Sequence, residues 1–221
     1  MENIYINKDL CSKCKGSCCK VSGCMYMPSD FKKMKYITIK KELLKGNISI
    51  DAFPTTGFKF NPDAWTLILF LRARNKDCDI VDLFTNGGPC KMLKEDGCFY
   101  DEEKRPSCGL MVKPMYVGGP CPKTFDENKL MNDWLRHQKL LEMLVEEFTN
   151  KEFFEYVYDL VIEKQKALAS KIQNKEKLTP SEVTNYERFL QISGKPFYTS
   201  SEIKSKNGFI IWFDFKKAGY Y

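Results

Sequence analysis

The sequence predicts an α+β protein in which a cysteine-rich half with short strands packs on a helical half. Three observations carry this. All ten cysteines lie before residue 122. Two short β-compatible runs, Ile48–Phe53 and Trp65–Leu71, fall within that same half. From Asp126 onward the apolar residues recur at a helical period. One domain over residues 1–221 is expected, with a cysteine-cluster part at 1–125 and a mostly helical part with a C-terminal strand at 126–221.

Taken in order, residues 1–10 read as an extended lead-in. Cys11-Ser12-Lys13-Cys14-Lys15-Gly16-Ser17-Cys18-Cys19 follows, with Cys24 close behind. A lone buried cysteine is usually a small hydrophobe, but five within this stretch are too many for packing alone. The two-residue gap between Cys11 and Cys14 lets two thiolates from one tight turn reach a single ion, and Gly16 supplies the backbone freedom of such a knuckle. Ser29 or Asp30 is positioned to cap a short helix to about Met34, and Thr38 to cap Ile39–Lys45, with Gly46 after its end. Ile48–Phe53 alternates as a strand. Pro54, Gly57 and Asn61-Pro62 read as a loop, and Trp65–Leu71 as a buried strand. Arg72 and Arg74 read as a solvated strand end, the alternative being a clamp for a carboxylate or phosphate. Cys78 stands alone and reads as a spare thiol.

The second cysteine stretch carries Cys90, Cys98 and Cys108. Asn86-Gly87-Gly88-Pro89 turns the chain before Cys90, Asp96-Gly97 before Cys98, and Arg105-Pro106 before Cys108. Gly118-Gly119-Pro120 precedes Cys121 in the same way. Thiols placed repeatedly beside chain reversals suit convergence on one centre. The candidate metal ligands are therefore Cys11, Cys14, Cys18, Cys19, Cys24, Cys90, Cys98, Cys108 and Cys121.

Helices are expected over 126–148 and 151–173, and a third from Thr179-Pro180-Ser181-Glu182 to about Ile192. That last opening has threonine at the cap, proline at the first helical position and glutamate at the third. Gly208–Phe215 is rich in β-branched and aromatic residues and reads as a strand, paired with Trp65–Leu71 or Ile48–Phe53.

Composition narrows the function. The net charge of +6 arises from 35 basic and 29 acidic residues spread along the chain, so nucleic acid is permitted as a partner but not indicated. There is no run of apolar residues long enough to span a membrane, and Met1–Lys8 lacks the pattern of a secretory signal. A cytoplasmic location is expected, where thiols stay reduced and ten cysteines argue for metal over disulfides. His137 is the only histidine, so an ion site must be almost purely thiolate, and no Ser/His/Asp set is present. A thiolate shell suits zinc or a [4Fe–4S] cluster. Nine thiols would fill two four-ligand sites with one left over, and the adjacent Cys18 and Cys19 are suited to serving different centres or to sharing a bridging role.

The two stretches together resemble the YkgJ-like cysteine-cluster family, described as a zinc- or iron-chelating domain. The resemblance rests on Cys11, Cys14, Cys18 and Cys19 in the first block. In the second it rests on Cys90, Leu93, Gly97, Cys98, Tyr100, Arg105, Pro106 and Cys108. It covers about residues 8–121, and Cys24 and Cys121 look like additions shared with one branch. The family implies metal binding. One relative, the flagellin lysine N-methylase, implies a further possibility, an iron–sulfur cluster used with S-adenosylmethionine. This chain has C-x2-C-x3-C, whereas the usual radical S-adenosylmethionine signature is C-x3-C-x2-C. Three functions are thus in view: a metal-binding protein with a possible protein partner, a cluster-dependent methyltransferase acting on protein lysine, and a thiol redox sensor.

Overall fold

The computed structural model describes residues 4–58, 61–95, 97–98, 104–118, 121–198 and 209–210. Helices and strands are both present, and the α+β expectation holds at that level.

The centre of the fold is a hairpin of β1 (Ile48–Phe58) and β2 (Asn61–Ala73). Its register runs from Ile48 opposite Ala73 to Phe58 opposite Asn61, with an irregularity between Thr56 and Phe58. Both strands are longer than expected, because the turn signals at Pro54 and Asn61-Pro62 lie inside the ladder. Pro54 pairs with Leu67. The sheet order places β1 at an edge, where a missing N–H is tolerated. Every residue from Ala64 to Ala73 is buried, which explains the continuous apolar run in β2: both faces of the strand are covered.

Helices cover it. α3 (Tyr36–Leu44) packs on β1, burying Ile39 and Leu43. It starts two residues before Thr38, with Lys35 at its cap. α5 (Glu127–Trp134) and α6 (Gln138–Thr149) pack on β2. The single helix expected over 126–148 is instead broken by a 3-10 turn at Leu135–His137. Gln138, at the start of α6, gives the break a purpose. Its Oε1 accepts from Leu69 N at 2.7 Å, and its Nε2 donates to Leu69 O and Trp134 O at 2.9 Å each. Leu69 pairs with Ala52 of β1 on one side, and the side-chain amide takes up its N–H and C=O on the other. α7 (Phe153–Gln173) and α8 (Pro180–Ile192) complete the helical half. α8 carries the capping box expected from Thr179 and Glu182, both of its hydrogen bonds formed.

Two short strands close the sheet. β5 (Pro196–Phe197) runs parallel to β2 with Phe197 opposite Trp65, and β6 (Phe209–Ile210) pairs antiparallel with β5. The tail strand therefore joins the same sheet through β5, not directly through β2 or β1. The remainder of the expected 208–215 strand lies outside the described residues. The Phe197 ring stacks on Trp65 with centroids 4.4 Å apart.

The cysteine-bearing chain is tied to this frame by its main chain. Tyr26 N donates to Leu71 O at 2.9 Å and Ala73 N to Cys24 O at 2.8 Å. Trp134 Nε1 donates to Tyr26 O at 3.0 Å, which joins the cysteine loop to the helical half. One hydrophobic core runs from Tyr26 through the hairpin to Phe197.

Candidate metal centre

The first cysteine stretch folds as two short helices. α1 spans Lys8–Cys14 and α2 spans Ser17–Val21. The lead-in expected to be extended is thus helical from Lys8, with Asn7 Oδ1 accepting from Leu10 N at 2.9 Å as its cap. Lys15 and Gly16 link the helices, both in the left-handed region with φ of 52° and 64°. The link reverses the chain between Cys14 and Cys18. It also sits close against the second stretch: a Cβ on Gly16 would lie 2.5 Å from Leu93 Cδ1, a side-chain tip that would have to shift, and the left-handed φ favours glycine there.

After α2 the chain reaches the sheet, and the short helix expected from Ser29 to Met34 is only a 3-10 turn at Pro28–Asp30. Its acid works elsewhere. Asp30 accepts from Met27 N at 2.9 Å and from Ser107 N at 3.0 Å, and it also takes the Ser107 hydroxyl. This anchors α4 (Ser107–Leu110), which bears Cys108. Gly109 on α4 faces Cys24 closely, since a Cβ there would lie 2.9 Å from Cys24 Sγ. Cys90 N donates to Cys19 O at 2.7 Å and Gly88 N to Val21 O at 2.8 Å, seating the second stretch along the first. A small ribbon of β3 (Leu93–Lys94) and β4 (Gly97–Cys98) brings Cys98 beside α1. Gly97 has φ of 113°; its expected turn partner Asp96 lies outside the described residues, as do Gly119 and Pro120. Gly118 N donates to Cys14 Sγ at 3.4 Å, and a bridge between Val112 and Lys123 holds the segment that carries Cys121.

The thiols fall into two overlapping neighbourhoods. Cys11 feels Cys18, Cys121 and Cys14. Cys19 feels Cys18, Cys24 and Cys90, while Cys90 in turn feels Cys98 and Cys18. The Cys18 and Cys19 sulfurs are 4.0 Å apart. Burial holds the Cys11 and Cys90 thiols above their ordinary range. Cys18 is pushed up by its hydrogen bond with Cys19 and by burial. Cys19 is also raised: the bond to Cys18 favours its ionisation, but Cys24, burial and its other thiol neighbours outweigh it. Cys14 goes the other way, because Ser17 and the Gly118 N–H hydrogen-bond its sulfur. Packed thiols held in their protonated form are what protein atoms alone produce; a bound cation would reverse the balance by favouring the thiolates. Cations already stand nearby: Arg105 by Cys11, Lys20 by Cys14 and Arg72 by Cys90.

Zinc–sulfur bonds of about 2.3 Å in a tetrahedron set neighbouring sulfurs about 3.8 Å apart, close to the 4.0 Å between Cys18 and Cys19. All-thiol donors are of the chemistry that zinc and iron–sulfur clusters take, and the spacing is matched by this one pair, Cys18 and Cys19. Among the described residues, no three His, Cys, Asp or Glu side chains already surround a common point. Cys78 lies elsewhere, among Asp82, Asn75 and Thr85, with its thiol pushed up to about 12 by burial first and Asp82 second.

The sequence reading missed two features here. Arg72 is not a solvated strand end. It is 8 % exposed and donates to Asp51 at 2.5 Å, to Gly23 O at 2.9 Å and to the Ser22 hydroxyl. It does clamp a carboxylate, but one supplied by the neighbouring strand, and burial pushes the Asp51 carboxyl up despite Arg72. Arg74 likewise turns inward to Cys78 O, with Nε at 2.7 Å. The second feature is a cavity of about 630 Å³ beside the thiols, walled by Cys18, Cys24, Cys108 and Cys121 on one side and by α5, α8 and the hairpin on the others.

No helix among the described residues is long and apolar enough to cross a membrane. Comparison with protein-family models, with curated proteins and with solved structures found no match.

Proposed function

We propose that this is a metal-binding protein of the YkgJ-like kind, in which Cys11, Cys14, Cys18, Cys19, Cys24, Cys90, Cys98, Cys108 and Cys121 hold a zinc or [4Fe–4S] centre as thiolates. The observation that carries the reading is convergence. Two cysteine stretches about seventy residues apart in sequence lie along one another, joined at Cys19 O and Cys90 N. Cys90 and Cys108 are also core residues, with Cys19 packed against that core, but an ion would in addition stabilise several thiolates at once. Zinc would act as a structural crosslink, and an iron–sulfur cluster would add electron-transfer chemistry. The chain's own part is to present the sulfurs and to offset their charge through Lys20, Arg105 and Arg72. The overlap at Cys18 and Cys19 supports two centres served by adjacent residues. A cytoplasmic location belongs to the same proposal.

One observation favours a second reading. The cavity against four of the thiols is suited to a small organic cosubstrate, as a cluster-dependent S-adenosylmethionine methyltransferase acting on protein lysine requires. The 4.0 Å contact of Cys18 with Cys19 similarly keeps a thiol redox role in view.

Two variants test the metal reading. Cys14→Ser should lower bound metal and the melting temperature together, because metal binding and folding are linked. Cys78→Ser should leave the metal unchanged. Unaltered metal and melting temperature in Cys14→Ser would count against the proposal.

A further inference from the structure

Apart from the cysteines, whose thiolate charge a bound metal would offset, the cavity beside the thiols is lined by five charged side chains, three cationic and two anionic. Four of them are matched: Asp51 lies 2.5 Å from Arg72, and Glu127 lies 2.5 Å from Lys123. The fifth, Arg188, is left over. It projects from α8, its guanidinium carbon sits 4.8 Å from the centre of the Phe53 ring, and it forms no ion pair among the described residues. Both carboxylates that could neutralise it are already engaged. Burial pushes the Arg188 pKa down, a cost that an arriving anion would remove.

Most of the remaining wall is apolar, with Ser17, Ser22, Thr85, Asn128, Thr184 and Asn185 among its neutral polar groups. Val21, Met25, Phe53, Phe70, Phe125 and Met131 form much of it, and methionine and phenylalanine make an adaptable lining. Clefts of roughly 300–1,000 Å³ that are mostly apolar, with a few placed polar groups, are the usual shape of a small-molecule site; at about 630 Å³ this one falls within that range. A single unmatched positive charge selects a monoanion over a polyphosphate. The planar guanidinium suits a carboxylate held by two parallel hydrogen bonds.

We propose that this cavity binds a small monoanionic organic ligand, a carboxylate on an apolar body, with the carboxylate on Arg188 and the body along the phenylalanine and methionine wall toward Cys24, Cys108 and Cys121. The site stands whichever metal the thiols hold, and it puts a bound small molecule directly against them.

Decanoate below its micellar concentration is the probe, titrated calorimetrically into the full-length protein as purified. Decan-1-ol and decyltrimethylammonium are the neutral and cationic counterparts. Decanoate should bind best. Arg188→Gln should weaken it by about tenfold or more, and Arg188→Lys, which keeps the charge but not the fork, by less. Metal content and melting temperature, measured on the same samples, should be unchanged by either variant. Equal binding of decan-1-ol, no binding of decanoate, or an Arg188→Gln variant that folds and binds decanoate as before would each overturn the proposal. Absence of metal in protein that still binds decanoate through Arg188 would remove the metal reading and leave this one in place.

Discussion

Gly23→Ala should be among the most damaging single-methyl changes in the chain. Gly23 is buried where the first cysteine stretch meets the end of β2. A Cβ there would lie 1.9 Å from Ala73 O and 2.7 Å from Ala73 C, both backbone atoms that cannot rotate aside. To restore the 3.4 Å of ordinary contact, the segment must retreat by about 1.5 Å. That distance breaks the bonds from Ala73 N to Cys24 O at 2.8 Å and from Gly23 N to Asn75 Oδ1 at 2.8 Å, and the bond from Arg72 Nη2 to Gly23 O at 2.9 Å. Two neutral hydrogen bonds at about 1 kcal/mol each and one charged bond at about 1.5–3 kcal/mol give an expected loss of about 3.5–5 kcal/mol. This is a large part of a typical domain's stability. Urea denaturation followed by tryptophan fluorescence reads the loss directly, because Trp134 is bonded to Tyr26 three residues on. Bound metal should fall in parallel. A midpoint shift equivalent to less than about 1 kcal/mol, with metal content intact, would refute the claim that the cysteine stretch is positioned by its docking on β2.

Other substitutions probe the frame. Gln138→Leu keeps the volume but leaves the Leu69 N–H and C=O without their partner, so a loss of about 2–4 kcal/mol is expected in the same denaturation assay. Thr179→Ala removes one half of the α8 capping box and should cost about 1 kcal/mol, read as a lower melting temperature. At Glu182 burial opposes ionisation, but Lys171 and the Thr179 backbone and hydroxyl outweigh it, holding its carboxyl below the ordinary range. Its contribution is therefore present above the unfolded glutamate pKa of about 4.3 and lost as pH falls through the lower folded value. Glu182→Gln should flatten that part of a stability–pH curve, and an unchanged curve would show that the pair with Lys171 contributes nothing.

What was legible in the sequence was local. The α8 cap is four consecutive residues whose hydrogen bonds close among themselves, so Thr179 and Glu182 announce it. The helical period from Asp126 likewise reports which face is buried. The break at Leu135–His137 was not legible, because it serves a contact between Gln138 and Leu69, distant in sequence. Pro54 and Asn61-Pro62 carry loop chemistry, yet they lie in strands, because pairing across the hairpin and the edge position of β1 outweigh local preference. For the site, cysteine spacing pointed to the thiols, and the glycines at 16 and 97 pointed to the turns. The burial of Arg72 was hidden since its partner, Asp51, is a neighbour only once β1 and β2 pair. The cavity was hidden for the same reason: α2, the hairpin, α5 and α8 each contribute only part of its wall.

The most direct test of the thiolate centre is metal and acid-labile sulfide per chain, measured on protein purified without oxygen, together with a visible spectrum. Zinc in a colourless protein, or iron with matching sulfide and a broad brown absorbance, is the expected result, at one or two centres per chain. Protein that is fully folded with neither metal nor sulfide, and that takes up neither on reconstitution, would contradict the centre and leave the thiols to redox chemistry.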